Sequence, residues 1–332
     1  MFDESKKVNV SLLNVNDSCK GIPAVLVSAD AKVGPSGKSY LTMEFLDGFS
    51  RFEAKWFGND MSTLDSKCVT VGDVVDIDIT VQPFNNGKSL RIDDLRATVT
   101  GAQAKDFALS APIDTEVAFK QILDVLGTLT EQEKQAHPDS KYSPITELAR
   151  EMLIENKDDY VFSGAAKKMH HATIGGLIYH SFRMLQTACA LCKVYTSLDR
   201  ALLCSAVALH DLAKIREMDT SLLGTVEYTI PGKLMGHLYL GSEMIHDYVL
   251  AHPDTYDPEK VMLLKHMILS HHLNPEWGAV VSPSTAEAQM LHYIDQIDAK
   301  MYMFENHFTD LKPGEITDKV PFGLENNVYK PL

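Results

Sequence analysis

The sequence of 332 residues contains no long uninterrupted run of apolar residues. A helix that crosses a bilayer needs about 20 predominantly apolar residues, and no stretch of the chain approaches that length. The first ten residues, MFDESKKVNV, also lack the apolar stretch of a secretory signal peptide. We therefore expect a cytoplasmic protein that does not interact with membranes.

Cysteine and positive charge are also scarce. The five cysteines form an odd number scattered along the chain, which is not the disulfide framework of a small secreted protein. The 31 Lys and Arg residues are outnumbered by 45 Asp and Glu residues, so the net charge is −14. This balance excludes a protein that coats nucleic acid through bulk positive charge. A phosphate-bearing substrate must then be held by a local basic lining or by bound cations.

Residues 8 to 100 have the alternating pattern of β-strands separated by turn-forming residues. The five strand-like runs are IPAVLVSADAKV, SYLTMEFLDG, RFEAKWF, DVVDIDITVQPF and SLRIDDLRATV. Turn formers lie between them, namely Gly34-Pro35-Ser36-Gly37, Asp47-Gly48 and Asn85-Asn86-Gly87. Five short strands with hairpin spacing predict a small closed β-barrel. An OB-fold is the leading candidate, and an SH3-like barrel is the alternative.

After Gly101 the apolar residues recur at spacings of three and four, which is typical of amphipathic helices. Helices are predicted over residues 115–127, 144–159, 175–195, 199–216, 236–250, 258–271 and 284–307. We therefore predict a multi-domain chain in which an all-β OB-fold barrel is followed by an all-α helical bundle. The expected ranges are 1–100 for a domain that binds single-stranded nucleic acid, 101–114 for a linker, 115–310 for the bundle and 311–332 for a C-terminal tail.

Histidine is concentrated in the helical half, because 12 of the 13 histidines follow residue 160. Imidazole nitrogens combined with carboxylate oxygens suit Zn, Mn, Fe or Ni rather than Ca. The candidate metal ligands lie on predicted helices or at their ends, roughly 20 to 35 residues apart, so that a bundle can present them to a shared point. These residues are His180, His210, Asp211, His237, His271, His272 and Asp295.

The adjacent pair His210 and Asp211 follows the apolar run ALLCSAVAL, which alone would be a core helix. Burying an imidazole and a carboxylate there is costly unless both are coordinated or paired. Lys214 lies one turn further on, where its cation can bind a phosphate oxygen or stabilise transition-state charge. Asp211 and Lys214 are therefore the candidate catalytic residues.

The order H…HD…D, with HDLAK at 210–214, resembles the HD superfamily of metal-dependent phosphohydrolases. The strings HHATIGGLIYHS, VALHDLAK, GHLYLGSEMI, LLKHMILSHH, EWG and LHYIDQIDAKM resemble, more narrowly, the YhaM-type 3′-5′ exoribonucleases, which join an OB-fold to an HD domain. KSYLTMEFLDGFSRFEAKWF in the barrel and SAPID in the linker extend the resemblance over nearly the whole chain. It implies a metal-dependent phosphodiesterase that removes nucleotides from the 3′ end of single-stranded RNA, with single-stranded DNA as a further substrate.

The HD resemblance implies a divalent metal, and we expect two ions per site, with manganese first and Ni, Fe, Mg and Zn as alternatives. One ion would take His180, His210 and Asp295, and Asp211 would bridge to the other. The second ion would take His237 with His271, His272 or both. Two ions about 3.5–4 Å apart suit in-line displacement at phosphorus by an activated water, and a one-metal site is the alternative.

The segment around the HD pair departs from the superfamily at one position. Ala213 stands where HD proteins commonly have glycine, and because alanine is well tolerated in helices we predict a continuing helix. Further upstream, His170 and His171 open the segment HHATIGG and are candidates to contact substrate or to support the metal ligands.

The barrel is expected to bind the nucleic acid, because OB-folds combine Lys and Arg for phosphates with aromatic side chains for base stacking. The aromatic candidates are Trp56 first, then Phe45, with Phe52, Phe57 and Phe84 also available. The basic candidates are Lys38, Arg51, Lys55 and Lys88. We also expect a homo-oligomer, in which several subunits surround the strand.

Two other functions fit the same residues. The first is an HD phosphohydrolase or phosphodiesterase of a small nucleotide or cyclic dinucleotide, in which the barrel would serve assembly. Its metal site would be identical, so only the barrel distinguishes it from a nuclease. The second is a non-enzymatic single-strand binder, which the complete set of candidate ligands disfavours.

Overall fold

The computed structural model describes residues 3–34, 37–84, 87–166, 173–221 and 223–332. The chain forms two compact units, one of Met1–Leu109 with Phe304–Leu332 and the other of Ser110–Met303. These units differ from the expected ranges, because residues 311–332 belong to the unit that holds the strands and do not form a separate tail. Among the described residues, no helix has the length and apolarity to cross a membrane.

The first unit contains five strands, β1 Ser18–Val33, β2 Ser39–Leu46, β3 Arg51–Phe57, β4 Val74–Phe84 and β5 Gly87–Ala97. They close into a barrel in the order β1-β2-β3-β5-β4. Neighbouring strands are antiparallel except β3 and β5, which pair in parallel. This OB-like barrel confirms the predicted all-β fold of the N-terminal half.

The alternation of side chains along each strand decides which of them fill the barrel. On β2, Leu41, Met43 and Phe45 are fully buried. The paired positions Tyr40 and Phe57, one on β2 and one on β3, lie in the opposite set, and Phe57 is exposed. A short helix α1, Met61–Ser66, follows β3 and was not predicted from the sequence.

Two lysine side chains, those of Lys330 and Lys312, hold the C-terminal segment in place. Lys330 Nζ donates to the carbonyl oxygens of Phe308 and Leu311 at 2.6 and 2.8 Å. Lys312 Nζ donates to Asn14 Oδ1 at 3.1 Å, and Val328 is fully buried. Because these contacts follow no helical or strand period, the sequence pattern did not reveal that the segment is ordered.

The second unit is helical. Its helices are α2 Thr115–Ala136, α3 Ile145–Glu155, α4 Lys157–Phe162, α5 Gly176–Val194, α6 Arg200–Leu209, α7 Lys214–Glu217, α8 Ile230–Ala251, α9 Pro258–Ser270 and the start of α10 Ala286–Asp310. A small hairpin of β6 Met218–Thr220 and β7 Val226–Tyr228 separates α7 from α8. Every residue of α6 from Ala201 to Leu209 is buried, as expected for a helix that is apolar on all sides. The predicted all-α bundle is therefore confirmed, with the small hairpin as an addition.

The predicted continuation of helix through the HD pair is wrong. Helix α6 ends at Leu209, and residues 210–213 form a turn before α7 begins. The Leu212 amide donates to the Leu209 carbonyl at 3.1 Å, and the Lys214 amide donates to the Asp211 carbonyl at 2.9 Å. Bonds of this three-residue spacing tighten the chain relative to an α-helix. The tight turn allows two adjacent side chains, His210 and Asp211, to face the same point.

Helix α8 begins six residues earlier than predicted and contains a kink. At the kink Gly236 has φ of 71° and ψ of 158°, a conformation that favours glycine. One turn before it, Gly232 packs directly on the backbone of Glu217. A Cβ built on Gly232 would lie 2.1 Å from the Glu217 carbonyl oxygen, which is far below van der Waals contact. Only glycine therefore permits this approach of α8 to α7.

This close approach predicts opposite effects for two glycine substitutions. Gly232→Ala should lower the free energy of unfolding by about 1–3 kcal/mol, because the added methyl group must displace backbone. Gly127→Ala is the matched control in α2, where a Cβ meets nothing within 4 Å. It should raise stability by about 0.5–1 kcal/mol through helix propensity. Thermal unfolding followed by circular dichroism measures both, and a Gly232→Ala protein as stable as wild type would contradict the packing.

Candidate metal centre

The structure brings all seven candidate metal ligands together in the helical unit. Ligand atoms of His180, His210 and Asp211 form one cluster, and those of His237, His271 and His272 form a second. Within each cluster these atoms lie within 4.8 Å of one another. Asp295 Oδ1 lies 3.3 Å from His180 Nε2, so Asp295 joins the first cluster. Three helices, α5, α8 and α10, and the two turns that follow α6 and α9 thus deliver side chains to one place.

Asp211 stands between the two clusters and turns one oxygen to each. Its Oδ2 lies 3.3 Å from His210 Nε2 and 3.7 Å from His180 Nε2. Its Oδ1 lies 3.4 Å from His237 Nε2 and 3.9 Å from His271 Nε2. A carboxylate in this position has the geometry of a bridge.

All five histidines are held through Nδ1, so that Nε2 of each ring faces the centre. The acceptors lie at 2.7–3.0 Å and are Asp298 Oδ2 for His180, Val207 O for His210, Glu217 Oε1 for His237, Ile268 O for His271 and Trp277 O for His272. An acceptor at Nδ1 fixes the tautomer and the orientation of the ring, as metal-binding histidines require. The common use of Nδ1 indicates that Nε2 is the atom presented to a metal.

Two carboxylates that were not predicted from the sequence hold His180 and His237. Asp298 Oδ2 accepts from His180 Nδ1 at 2.7 Å, and its Oδ1 pairs with Arg183 Nε at 2.5 Å. Glu217 Oε1 accepts from both the backbone amide and Nδ1 of His237 at 3.0 Å. Asp298 lies three residues after Asp295 on α10, hence on the same helical face, and that spacing was a detectable signal. Glu217 gave no such signal, because its contact depends on the kink in α8.

The charges of the site are strongly coupled. Burial lowers the pKa of His180, but hydrogen bonds to Asp295 and Asp298 outweigh it and raise this pKa to about 9. Burial would raise the pKa of Asp211, but His210 and Lys214 hold it well below its usual range. Burial would also raise the pKa of Asp295, but the hydrogen bond to His180 outweighs it and lowers this pKa. Asp211 and Asp295, the two carboxylates that face the clusters, are therefore both ionised.

The second cluster behaves differently. Burial, helped by His272 and His210, keeps the pKa of His271 well below its usual range. Burial and the neighbouring His237 also lower the pKa of His272. Neutral imidazoles have a free lone pair, which is the form that binds metal.

Lys214 reaches into the site and is paired there. Its Nζ lies 2.8 Å from Asp211 Oδ2, on the side of the carboxylate that faces the first cluster. Burial lowers the pKa of Lys214, but Asp211 outweighs it and the pKa is raised. The ammonium group is therefore a fixed positive charge within the site.

The residues present fit a divalent cation. Asp211 Oδ1 and His237 Nε2 are both buried and have no hydrogen-bond partner among the described residues. Leaving buried polar atoms unpaired is costly, and a cation between an imidazole nitrogen and a carboxylate oxygen would satisfy both. The mixed imidazole and carboxylate donors are those of a first-row transition-metal site.

Two of the predicted nucleic-acid contacts are corrected by the structure. Phe45 is fully buried and Trp56 is 4% exposed, and both belong to the core of the barrel. They cannot stack on bases without opening the barrel, because inward positions of a small barrel are filled by its own side chains. Phe52 packs partly against the same core.

The other predicted contacts differ in whether their side chains already have partners within the protein. Arg51 pairs with Glu44, and Lys88 Nζ donates to the carbonyls of Ser11 and Leu13. The Lys38 side chain is exposed. Lys55 Nζ lies 5.2 Å from the centroid of the Phe84 ring, and the rings of Phe57 and Tyr40 are 5.5 Å apart. His170 and His171 lie outside the described residues.

A helical unit with His180, His210, Asp211 and Asp295 in the order H…HD…D defines a protein of the HD class. The HD domain family model matches residues 177–300, a range that includes all seven candidate ligands. A solved structure described as "Structure of RecG bound to three-way DNA junction" matches with a TM-score of 0.22 and 16% identity, over 57% of this chain and 25% of that one. That likeness is too low to carry an argument.

Similar proteins of known name define the family further. The chain is 32% identical over 334 residues to the 3′-5′ exoribonuclease YhaM of Bacillus pumilus (strain SAFR-032), covering 99% of this chain and 96% of that protein. It is 33% identical over 312 residues to the protein of the same name from Bacillus subtilis (strain 168), covering 92% and 93%. The chain therefore belongs to the YhaM family, as the resemblance predicted.

The hydrogen bond between Asp298 and His180 predicts a role in metal affinity. Asp298→Asn removes the negative charge behind the His180 ring and should weaken metal binding by about 10–100-fold while the fold is kept. Isothermal titration of the metal-free protein with Mn²⁺ measures this change. Asp247→Asn is the matched control, because Asp247 is an exposed carboxylate on α8. Equal Mn²⁺ affinities for Asp298→Asn and wild type would contradict the role.

Proposed function

We propose that this chain is a metal-dependent 3′-5′ exoribonuclease that hydrolyses phosphodiester bonds of single-stranded RNA. The observation that carries the proposal is the position of Asp211, whose two oxygens face two separate histidine clusters. Full-length similarity to proteins named 3′-5′ exoribonuclease YhaM supports the direction and the substrate of the reaction.

The arrangement supports two divalent ions, and we propose manganese first. His180, His210 and Asp295 would hold one ion, His237, His271 and His272 the other, and Asp211 would contact both. When bound, such ions acidify water and neutralise charge on phosphoryl oxygens. The protein's own contribution is to fix the five rings through Nδ1 and to keep the carboxylates ionised.

Lys214 is proposed to act on the substrate directly. Its ammonium lies 2.8 Å from Asp211 Oδ2 and is 11% exposed, so a phosphate oxygen that reaches Asp211 also comes within reach of Lys214. A cation fixed in a buried site stabilises developing negative charge without having to reorganise. Lys214 therefore favours the transition state for hydrolysis.

The barrel is proposed to hold the RNA strand on its outer face. Phe57 and Phe84 are 54% and 55% exposed, and Lys55 lies over the Phe84 ring. Exposed rings next to a lysine can stack bases and pair with phosphates without reading sequence. These residues replace Phe45 and Trp56 as the stacking candidates. Single-stranded DNA as a second substrate, a homo-oligomer and a cytoplasmic location stay predictions.

The proposed activity is tested by digesting one single-stranded RNA carrying its label at the 3′ end or at the 5′ end. With Mn²⁺, the 3′ label should be released at once as a mononucleotide. The RNA that carries the 5′ label should shorten in single-nucleotide steps. Parallel reactions with Mg²⁺, Ni²⁺ and Zn²⁺ rank the metals. Turnover of a small nucleotide or cyclic dinucleotide without any shortening of RNA would contradict the proposal.

The variant that tests the role of Asp211 in this digest is Asp211→Asn. It should lower the rate by about a thousandfold or more, because the amide cannot supply two anionic oxygens to the site. Lys120→Ala, at an exposed position of α2, should leave the rate unchanged. RNA binding by Asp211→Asn should stay close to wild type, and near-normal turnover by this variant would contradict the bridging role.

The barrel face predicts a separate loss of RNA affinity. Phe57→Ala and Phe84→Ala should each weaken binding of a single-stranded RNA by about tenfold, because one stacked base is lost in each. Fluorescence anisotropy measures the affinity. Phe322→Ala is the control, since Phe322 is 86% exposed and belongs to the same unit of the chain. If all three variants bind RNA as wild type does, this face does not hold the strand.

A further inference from the structure

The chain has two tryptophans, and they are in opposite environments. Trp56 fills the barrel core, whereas Trp277 is 58% exposed in the helical unit. Tryptophan has the largest apolar surface of any side chain, so leaving it in water forgoes substantial stabilisation. The position of Trp277 therefore calls for a partner that covers the ring.

Trp277 is joined directly to the metal centre through its backbone. Its carbonyl oxygen accepts from His272 Nδ1 at 2.9 Å. The His272 ring in turn lies 5.0 Å, centroid to centroid, from the ring of His237. The backbone of Trp277 therefore lies at the edge of the second histidine cluster.

The turn that carries Trp277 is rigidly built. A 3₁₀ turn, Pro275–Trp277, is closed by the Trp277 amide on the Asn274 carbonyl at 2.9 Å and ends at Gly278, whose φ is 94°. The next residue, Ala279, is buried, and the Val280 amide donates to the Leu269 carbonyl of α9 at 3.0 Å. A ring mounted on such a turn can bind a flat ligand with little loss of conformational entropy.

A base of the substrate is the ligand that fits this position. The proposed reaction brings the 3′-terminal phosphodiester to the histidine clusters, so the terminal base must lie beside them. Every base has a π-face, and an aromatic side chain that stacks on it discriminates little between sequences. A nuclease that removes residues one after another needs that tolerance.

We propose that Trp277 is the platform on which the base of the 3′-terminal nucleotide stacks while its phosphodiester bond is cleaved. This rests on the proposed exoribonuclease function. The stacking contact would position the terminal nucleotide through its base, whereas the metal centre acts on its phosphate. Trp277 is thus a substrate-binding residue of the helical unit, separate from the barrel face.

The test uses the full-length protein with Mn²⁺ and two 5′-labelled RNAs that differ only in the 3′-terminal residue, which either carries its base or is abasic. For removal of the terminal residue, wild type should favour the RNA with the base by about tenfold in kcat/KM. Trp277→Ala should lose this preference and process both RNAs at the rate at which wild type processes the abasic one. Trp277→Phe should keep the preference, because a ring is retained. Met262→Ala, an exposed apolar position on α9, should behave as wild type.

The other outcomes overturn the proposal in distinguishable ways. If Trp277→Ala keeps the preference for the base, the ring does not stack. If it slows both RNAs equally, the side chain only keeps in place the turn whose backbone carbonyl holds His272. If it alters the mass of the protein in solution and leaves the preference intact, the ring is covered by a second copy. If wild type shortens neither RNA, the proposed function itself fails, whatever Trp277 does.

Discussion

The helical unit depends on a carboxylate, Asp211, that is almost fully buried between rings and cations. An isolated charge in such a place is strongly unfavourable, so its surroundings must supply positive charge and hydrogen bonds. His210 does so from the turn, Lys214 from the start of α7, and His180 and His237 from α5 and α8. One helix end and one kink lie where these side chains enter the site. Helix α6 stops at Leu209, and α8 bends at Gly236, where His237 enters the site.

Much of this arrangement was accessible from the sequence. Periodicity separated the strand-rich half from the helical half, and the ordered His and Asp residues indicated one shared site. Those signals work because strands and helices repeat at fixed periods and because metal donors are few in kind. The closed barrel and the convergence of all seven candidate ligands agree with them.

Other features of the structure could not be predicted from the sequence, for physical reasons. The turn at residues 210–213 depends on where the side chains of the HD pair must point, which outweighs the helix propensity of Ala213. Phe45 and Trp56 looked like binding residues because composition does not state which face of a strand is inside. Glu217 meets His237 only through the kink of α8 and the contact at Gly232, a long-range event with no local pattern.

The way in which the histidines are anchored affects how the family can diverge. Three of the five rings are held by backbone carbonyls, those of Val207, Ile268 and Trp277, and a backbone acceptor survives almost any side-chain replacement. Only His180 and His237 rely on the side chains of Asp298 and Glu217. Mutational drift can therefore alter most of the surrounding sequence while the catalytic geometry persists. Only two side chains outside the ligand set, those of Asp298 and Glu217, must therefore be kept for all five rings to retain their acceptors.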